Sequence, residues 1–378
     1  MEQAIVIGAG PAGLALAASL RAMGVTPVIL DKENSIGSAW RRHYDRLHLD
    51  TDKKRSPLQM RCCPDDAPRY VPRDQVVAYL EDYADHFALS PQLNAEVTRA
   101  DPIDRGWRVT LADGPQIDTP VLPPATGISE CPTSRDWPAL ATSPGPILHT
   151  PDSPRPADLP GQRVLVVGFG NSGGEIAIDL AEDGRQVDLV VRSAVNLLPK
   201  ELFGLPIGNF ELLQKILPYR WADRITAPVL KLKIGDYGQY GLRKSPKGPI
   251  TQIREDGRIP LIDLGTLALM KAGKIKSRPG LDRIDGATVT FTDGSSADYD
   301  AILMATGYRV DLRPLFGDLP GVLDDAGCPH ASARQLAPGL WFCSYHPVPN
   351  GQLREIALQA PRIAAEVADY LVASRKEG

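Results

Sequence analysis

Short apolar runs, each ending in a glycine-rich turn, set the rhythm of this chain. Ala4–Ile7 is continuously apolar and leads into Gly8-Ala9-Gly10-Pro11-Ala12-Gly13. Val164–Val167 repeats the pattern and leads into Gly168-Phe169-Gly170-Asn171-Ser172-Gly173. A run that does not alternate predicts a strand buried on both faces of a parallel sheet. Behind each turn the spacing becomes helical: Leu14, Leu16, Ala18, Leu20 and Met23 in one case, Ile176, Ala177, Leu180 and Ala181 in the other. Gly24 and Gly184 suit the helix ends. Second strands are expected at Pro27–Leu30 and Val187–Val191.

The rest of the chain divides by the same criteria. Helical spacing marks Val76–Phe87, Phe210–Leu217 and Trp221–Leu232. Trp107–Leu111 with the turn Asp113-Gly114 predicts a hairpin. Ala287–Thr292, a turn at Asp293-Gly294, and Tyr299–Met304 predict two more strands. Leu340–Cys343 is a last short strand, and Pro349-Asn350-Gly351-Gln352-Leu353 opens a final helix through Ile363, Val367 and Leu371. Val121-Leu122-Pro123-Pro124 is apolar, but its prolines remove two ladder donors, which predicts an irregular strand end or a linker.

The turns carry chemistry. In a G-x-G-x-x-G turn the first glycine makes the tight bend, the second lets the backbone approach a pyrophosphate, and the third lets helix and strand pack closely. The helix N-terminus then offers free N–H groups to phosphate. Pro11 suits the first helical turn. Asp31 ends the second strand about twenty residues past Gly8, where an acid holds ribose hydroxyls. Its counterpart after the second turn is Arg192-Ser193. A carboxylate there would repel a 2′-phosphate, whereas a guanidinium and a hydroxyl suit it, which predicts NADPH over NADH.

Composition narrows the alternatives. With 378 residues the chain has room for two or more domains. A net charge of −4 argues against nucleic-acid or anionic-membrane partners. The five cysteines are scattered and odd in number, and Cys62-Cys63 are adjacent, so neither a disulfide framework, a structural zinc, another metal site nor a C-x-x-C redox pair is expected. No basic leader precedes the first strand, and no apolar run reaches about 18 residues, so a soluble cytoplasmic protein is expected. A homo-oligomer is left open.

Gly37-Ser38-Ala39-Trp40, followed by Tyr44, Leu47, His48, Leu49 and Thr51, resembles the flavin-containing monooxygenases. Tyr70–Ala84, the G-x-G-N-S-G turn with Val190-Val191-Arg192-Ser193, and Ala305-Thr306-Gly307-Tyr308 resemble the same family, particularly its YUCCA-type members. The resemblance implies an α/β fold with two Rossmann-like domains. A discontinuous FAD domain (1–155 and 301–378) would flank an NADPH domain (156–300), with a helical insertion at about 200–275 shaping the substrate pocket. For FAD it implies contacts from Gly8, Gly10, Pro11, Ala12, Gly13, Asp31, Lys32, Gly37, Ala39, Trp40, His48, Thr126, Gly127, Ala305, Thr306, Gly307, Tyr308, Gly351 and Leu353. For NADPH it implies Gly168, Gly170, Asn171, Ser172, Gly173, Arg192 and Ser193. Asn171 is the expected contact to the nicotinamide or the reacting oxygen.

The family's linker motif is matched at Gly145 and His149, but Ser143 and Ser153 replace its aromatics. The implied chemistry is reduction of FAD by NADPH, then reaction of a C4a-(hydro)peroxyflavin, which either oxygenates an amine or a thioether or attacks a carbonyl, as in Baeyer–Villiger insertion or oxidative decarboxylation of a 2-oxo acid. The YUCCA-like segments point toward an aryl-pyruvate. The alternative on the same scaffold is an NADPH-dependent flavin reductase or oxidase releasing hydrogen peroxide. The cofactor carries this chemistry, so no nucleophile–base pair is required.

Overall fold

The computed structural model describes residues 4–128, 131–133, 147–149, 159–207, 217–348 and 351–376. It forms two compact units: Met1–Arg41, Thr51–Cys131 and Tyr308–Gly378 in the first, Arg42–Asp50 and Pro132–Gly307 in the second. Most of the expected segment Phe210–Leu217 lies outside the described residues, as do Ser143, Gly145, Ser153, Pro349 and Asn350.

In the first unit, β1 (Ala4–Ile7) runs parallel to β2 (Pro27–Leu30), in register from Ala4 with Pro27 to Ile7 with Leu30, and α1 (Pro11–Ala22) crosses between them. All four β1 residues are buried, as the continuous apolar run requires. Helix α1 buries Ala12–Leu20 without interruption, because the long C-terminal helix Gln352–Lys376 covers it as well. Helix α2 (Arg73–His86) coincides with the expected one and buries Val76, Val77, Leu80 and Tyr83. Strands β3 (Val97–Ile103), β4 (Gly106–Leu111) and β5 (Gln116–Thr119) form an antiparallel meander.

The proline-bearing segment after β5 is neither a regular strand nor a linker detached from the sheet. Leu122 N–H donates to Gly339 O (2.8 Å), Ala125 N–H donates to Ile7 O (2.8 Å), and Val121 O accepts from Ile5 N–H (3.0 Å). Pro123 and Pro124 fall between the donors that are used. Single bridges to Ile7 and Leu340 replace a continuous ladder.

The second unit is built on a five-stranded parallel sheet. Its members are β6 (Ile147–His149), β7 (Arg163–Val167), β8 (Gln186–Val190), β9 (Ile275–Arg278) and β10 (Ala301–Met304), in the order β9-β8-β7-β10-β6. Helix α3 (Asn171–Glu182) follows the glycine turn after β7. Leu281–Asp285, Thr288–Phe291 and Ser296–Asp298 form an antiparallel meander, including the expected Asp293-Gly294 turn. The helix expected at Trp221–Leu232 spans Tyr219–Ile234, and its buried Asp223 caps the helix Pro249–Asp256 by accepting from Ile250 N–H (3.0 Å) and Thr251 N–H (2.9 Å). Limits at 155/156 and 300/301 would cut this sheet. Strands β6 and β10 lie beyond them, yet both are hydrogen-bonded into it.

Candidate active site

The two glycine turns share one geometry. Gly8 and Gly168 have φ of +110° and +113°, a region that favours glycine. A Cβ on Gly8 would lie 2.6 Å from Ala125 O, and one on Gly168 would lie 2.4 Å from Ala305 O. A Cβ on Gly13 would lie 1.8 Å from Gly8 O, and one on Gly173 2.0 Å from Gly168 O. Each A-T-G turn therefore backs the first glycine of its own unit: Ala125-Thr126-Gly127 in the first, Ala305-Thr306-Gly307 in the second. Ala305–Gly307, expected beside FAD as the chain returns to the first domain, thus packs in the second unit.

Gly10 and Gly170 behave differently. They cap α1 and α3, no side chain caps either helix, and a Cβ on either would meet nothing within 4 Å. Uncapped N–H groups facing open space are what a pyrophosphate fits. The residues present therefore fit a dinucleotide at each turn, and the glycine that must stay small for a ligand is distinct from those that must stay small for packing.

At the end of β2 the Asp31 carboxylate accepts from Ala9 N–H (2.5 Å) and Glu33 N–H (2.8 Å), so it is held against the first turn. Lys32 is exposed beside it. Gly37 (φ +67°) is buried and its N–H donates to Ala9 O (3.3 Å), which brings the Ser38–Arg41 helical turn, with exposed Ala39 and half-buried Trp40, to the same loop. Thr126 N–H and Tyr345 Oη are 3.1 Å apart. Gly351 (φ +91°) packs on Thr51, and Leu353 is buried. His48 lies in the 42–50 segment, which belongs to the second unit, while Tyr308 belongs to the first. Of His149 only the backbone is described: it pairs with Met304.

Past β8, the Arg192 side chain is exposed and Ser193 is half-buried. The Arg192 carbonyl accepts from Arg243 Nη2 (2.5 Å), and Lys244 bridges Val195. A second cation, Arg243, thus stands beside the arginine picked out by sequence. Arg243 lies 51 residues further along the chain, beyond the reach of the strand–turn–helix pattern. At the start of α3, Asn171 Oδ1 accepts from Ile262 N–H (2.9 Å), which turns its Nδ2 toward Asp50 Oδ2 (3.4 Å). Glu175, one turn on, is 3% exposed. Tyr44 stands beside Glu175 and Ser172. Burial, then the nearby Asp50 charge, pushes Glu175 up to about 8. Burial likewise raises Asp50, and it lowers half-buried Lys200 against the pull of both carboxyls.

Residues 5–199 match the family described as pyridine nucleotide-disulphide oxidoreductase. The chain is 39% identical to indole-3-pyruvate monooxygenase YUCCA1 of Oryza sativa subsp. japonica, over 86% of this chain and 79% of that one. It is 38% identical to YUCCA6 of Arabidopsis thaliana, over 81% and 75%. The chain belongs to the YUCCA-type flavin-containing monooxygenases. Its fold agrees with a flavin-containing monooxygenase from Stenotrophomonas maltophilia (TM-score 0.73, 21% identity, 99% of both chains) and with a steroid monooxygenase bound to NADP (TM-score 0.77, 18% identity, 100% of this chain and 86% of that one). It is accordingly an NADPH-dependent flavin monooxygenase that uses FAD and O₂ on a small-molecule substrate. Among the described residues no helix is long and apolar enough to cross a membrane.

Proposed function

We propose that this enzyme oxidatively decarboxylates an aryl-substituted 2-oxo acid of the indole-3-pyruvate type. The observation that carries the reading is the identity of 34–39% to a series of relatives named as indole-3-pyruvate monooxygenases. The balanced reaction consumes one 2-oxo acid, one O₂, one NADPH and one proton. It yields the acid shorter by one carbon, CO₂, water and NADP⁺. Bound flavin supplies the two-electron reduction and the oxygen transfer.

The chain's own residues bind and orient. In this reading the first unit holds FAD through the Gly8–Gly13 turn, with Asp31 on the ribose and Thr126, Gly351 and Leu353 nearby. The second unit holds NADPH through Gly168–Gly173, with Arg192, Ser193 and Arg243 on the 2′-phosphate and Asn171 toward the nicotinamide. The five free thiols are consistent with work in the reducing cytosol.

The test is NADPH consumption coupled to product across amines, thioethers and 2-oxo acids. Stoichiometric CO₂ and the shortened acid are expected from an aryl 2-oxo acid. Oxygenated amine or thioether, with every 2-oxo acid inert, would overturn the assignment.

A further inference from the structure

Behind the second glycine turn lies a buried polar cluster that coenzyme binding does not account for. Glu175, on α3, is buried although its neighbours on the helix, Ile176 and Ala177, belong to an apolar core. At the equivalent place behind the turn after β1 stand neutral polar groups, Ser19 and Gln59, both hydrogen-bonded to Ala15 O, whereas this turn is backed by a carboxyl group. Two oxygens in the cluster, Glu175 Oε2 and Asp50 Oδ1, are fully buried and have no hydrogen-bond partner among the described residues. A buried carboxylate oxygen without a donor costs free energy, and two carboxylates in one site repel each other. Lys200 is the cation that acts on both. One ammonium balances one carboxylate. The other carboxyl is most stable carrying a proton.

The geometry says which one. Asp50 is the carboxyl whose Oδ2 faces the Asn171 amide, an N–H donor that favours the ionised form. Glu175 is almost wholly buried, beside the Tyr44 phenol. Asn171 is held at both ends: Oδ1 by Ile262 N–H, Nδ2 by Asp50. Turning the amide over would lose the first bond and set Oδ1 against a carboxylate. An ionised Asp50 thus fixes the direction of Asn171, and a neutral Glu175 lets Asp50 stay ionised beside one lysine.

We propose that Glu175 and Asp50 form a one-proton carboxyl pair that orients the Asn171 amide, and that both are positioning residues for the coenzyme side of this site. The groups facing Glu175 are Tyr44 and Asp50 from the 42–50 segment, Lys200 beyond Leu197–Pro199, and Asp179 on its own helix. Asp179 is neutralised by Arg46, which also pairs with Glu182, and Glu201 acts on Lys200. When the Glu175 proton is lost, two buried carboxylates share one ammonium and the restraint on Asn171 weakens. The pair therefore sets an alkaline limit for productive coupling of NADPH oxidation to oxygenation.

The role at Asn171 rests on the reading of this turn as the NADPH site; the protonation state does not. The decisive experiment is infrared titration of the purified holoenzyme, wild type against Glu175→Gln and Asp50→Asn. A protonated-carboxyl carbonyl band is expected at pH 7 in wild type, lost toward pH 9 and absent in Glu175→Gln. In Asp50→Asn the band should titrate at lower pH, because a like charge has been removed. On the same samples, product formed per NADPH should fall on the alkaline side in wild type, and in Glu175→Gln this limb should move up by more than one pH unit. No protonated-carboxyl band at pH 7, or one that survives in Glu175→Gln, overturns the one-proton pair. An unmoved coupling limb in Glu175→Gln, with the infrared band gone, overturns the positioning of Asn171. An error in the coenzyme reading itself would show separately, as unchanged NADPH preference in Arg192→Ala.

Discussion

The two glycine turns differ in what stands around the same backbone. Their first glycines have φ within a few degrees of each other, and each is backed by the carbonyl of an alanine in an A-T-G turn. At the strand ends the resemblance stops. Asp31 is folded back onto the N–H of Ala9, presenting a carboxylate where ribose hydroxyls would lie. Arg192 is exposed, with Arg243 bonded to its carbonyl. Backing differs too, with the neutral Ser19 and Gln59 behind the first turn and the Tyr44–Glu175–Asp50 cluster behind the second. The backbone makes a dinucleotide site in both places. In the reading proposed above, the side chains at its rim select which dinucleotide binds.

The comparison is broken most severely at the packing glycines. Gly13→Ala puts a Cβ 1.8 Å from a backbone oxygen, an overpacking that costs about 3 kcal/mol or more since backbone must move. The variant should purify without flavin. An ordinary flavin-to-protein absorbance ratio would show that the close approach is not required.

Gly170→Ala should act in the opposite sense. Its Cβ meets nothing within 4 Å, so the melting temperature should hold while KM for NADPH rises by tenfold or more. A large fall in melting temperature with unchanged KM would place this glycine in packing instead. Asp31→Ala comes next: loss of a charge-assisted ribose contact of about 1.5–3 kcal/mol should weaken FAD binding by roughly tenfold to a hundredfold, as measured by flavin release on dilution. Retention equal to wild type would refute the ribose role.

The smallest effect is a slope in stability. Glu175 is ionised above its ordinary value of 4.5 in the unfolded chain but stays protonated in the fold up to about 8. The folded state therefore binds the extra proton in that window, and stability falls as pH rises through it. Denaturant midpoints should decline from pH 5 to 8 in wild type, and less steeply in Glu175→Gln. Parallel curves for the two proteins would count against a buried neutral acid.

How much of this was legible beforehand follows from distance along the chain. Strand, turn, helix and strand-end residue are contiguous, so Gly8 to Asp31 and Gly168 to Arg192 could be read as units. Rules of proline placement identified the irregular segment at Pro123-Pro124, but not that its remaining donors would rejoin it to the sheet. Arg243 reaches Arg192 across 51 residues, and Asp50 reaches Asn171 across 121. Neither partner carries a local pattern, and a glutamate within an apolar helix face looks like an ordinary amphipathic position until burial is known. The sheet of the second unit crosses the limits expected at 155/156 and 300/301 for a related reason: β6 and β10 are too short to announce which sheet they join.

The central claim is that the residue ending the second strand of each unit selects its dinucleotide. Its most direct test is the ratio of kcat/KM for NADPH to that for NADH in Arg192→Asp, which installs at the second turn the residue type found at the first. The ratio should fall by a hundredfold or more, mainly through KM for NADPH, with FAD content unchanged. A ratio equal to that of wild type would contradict the account.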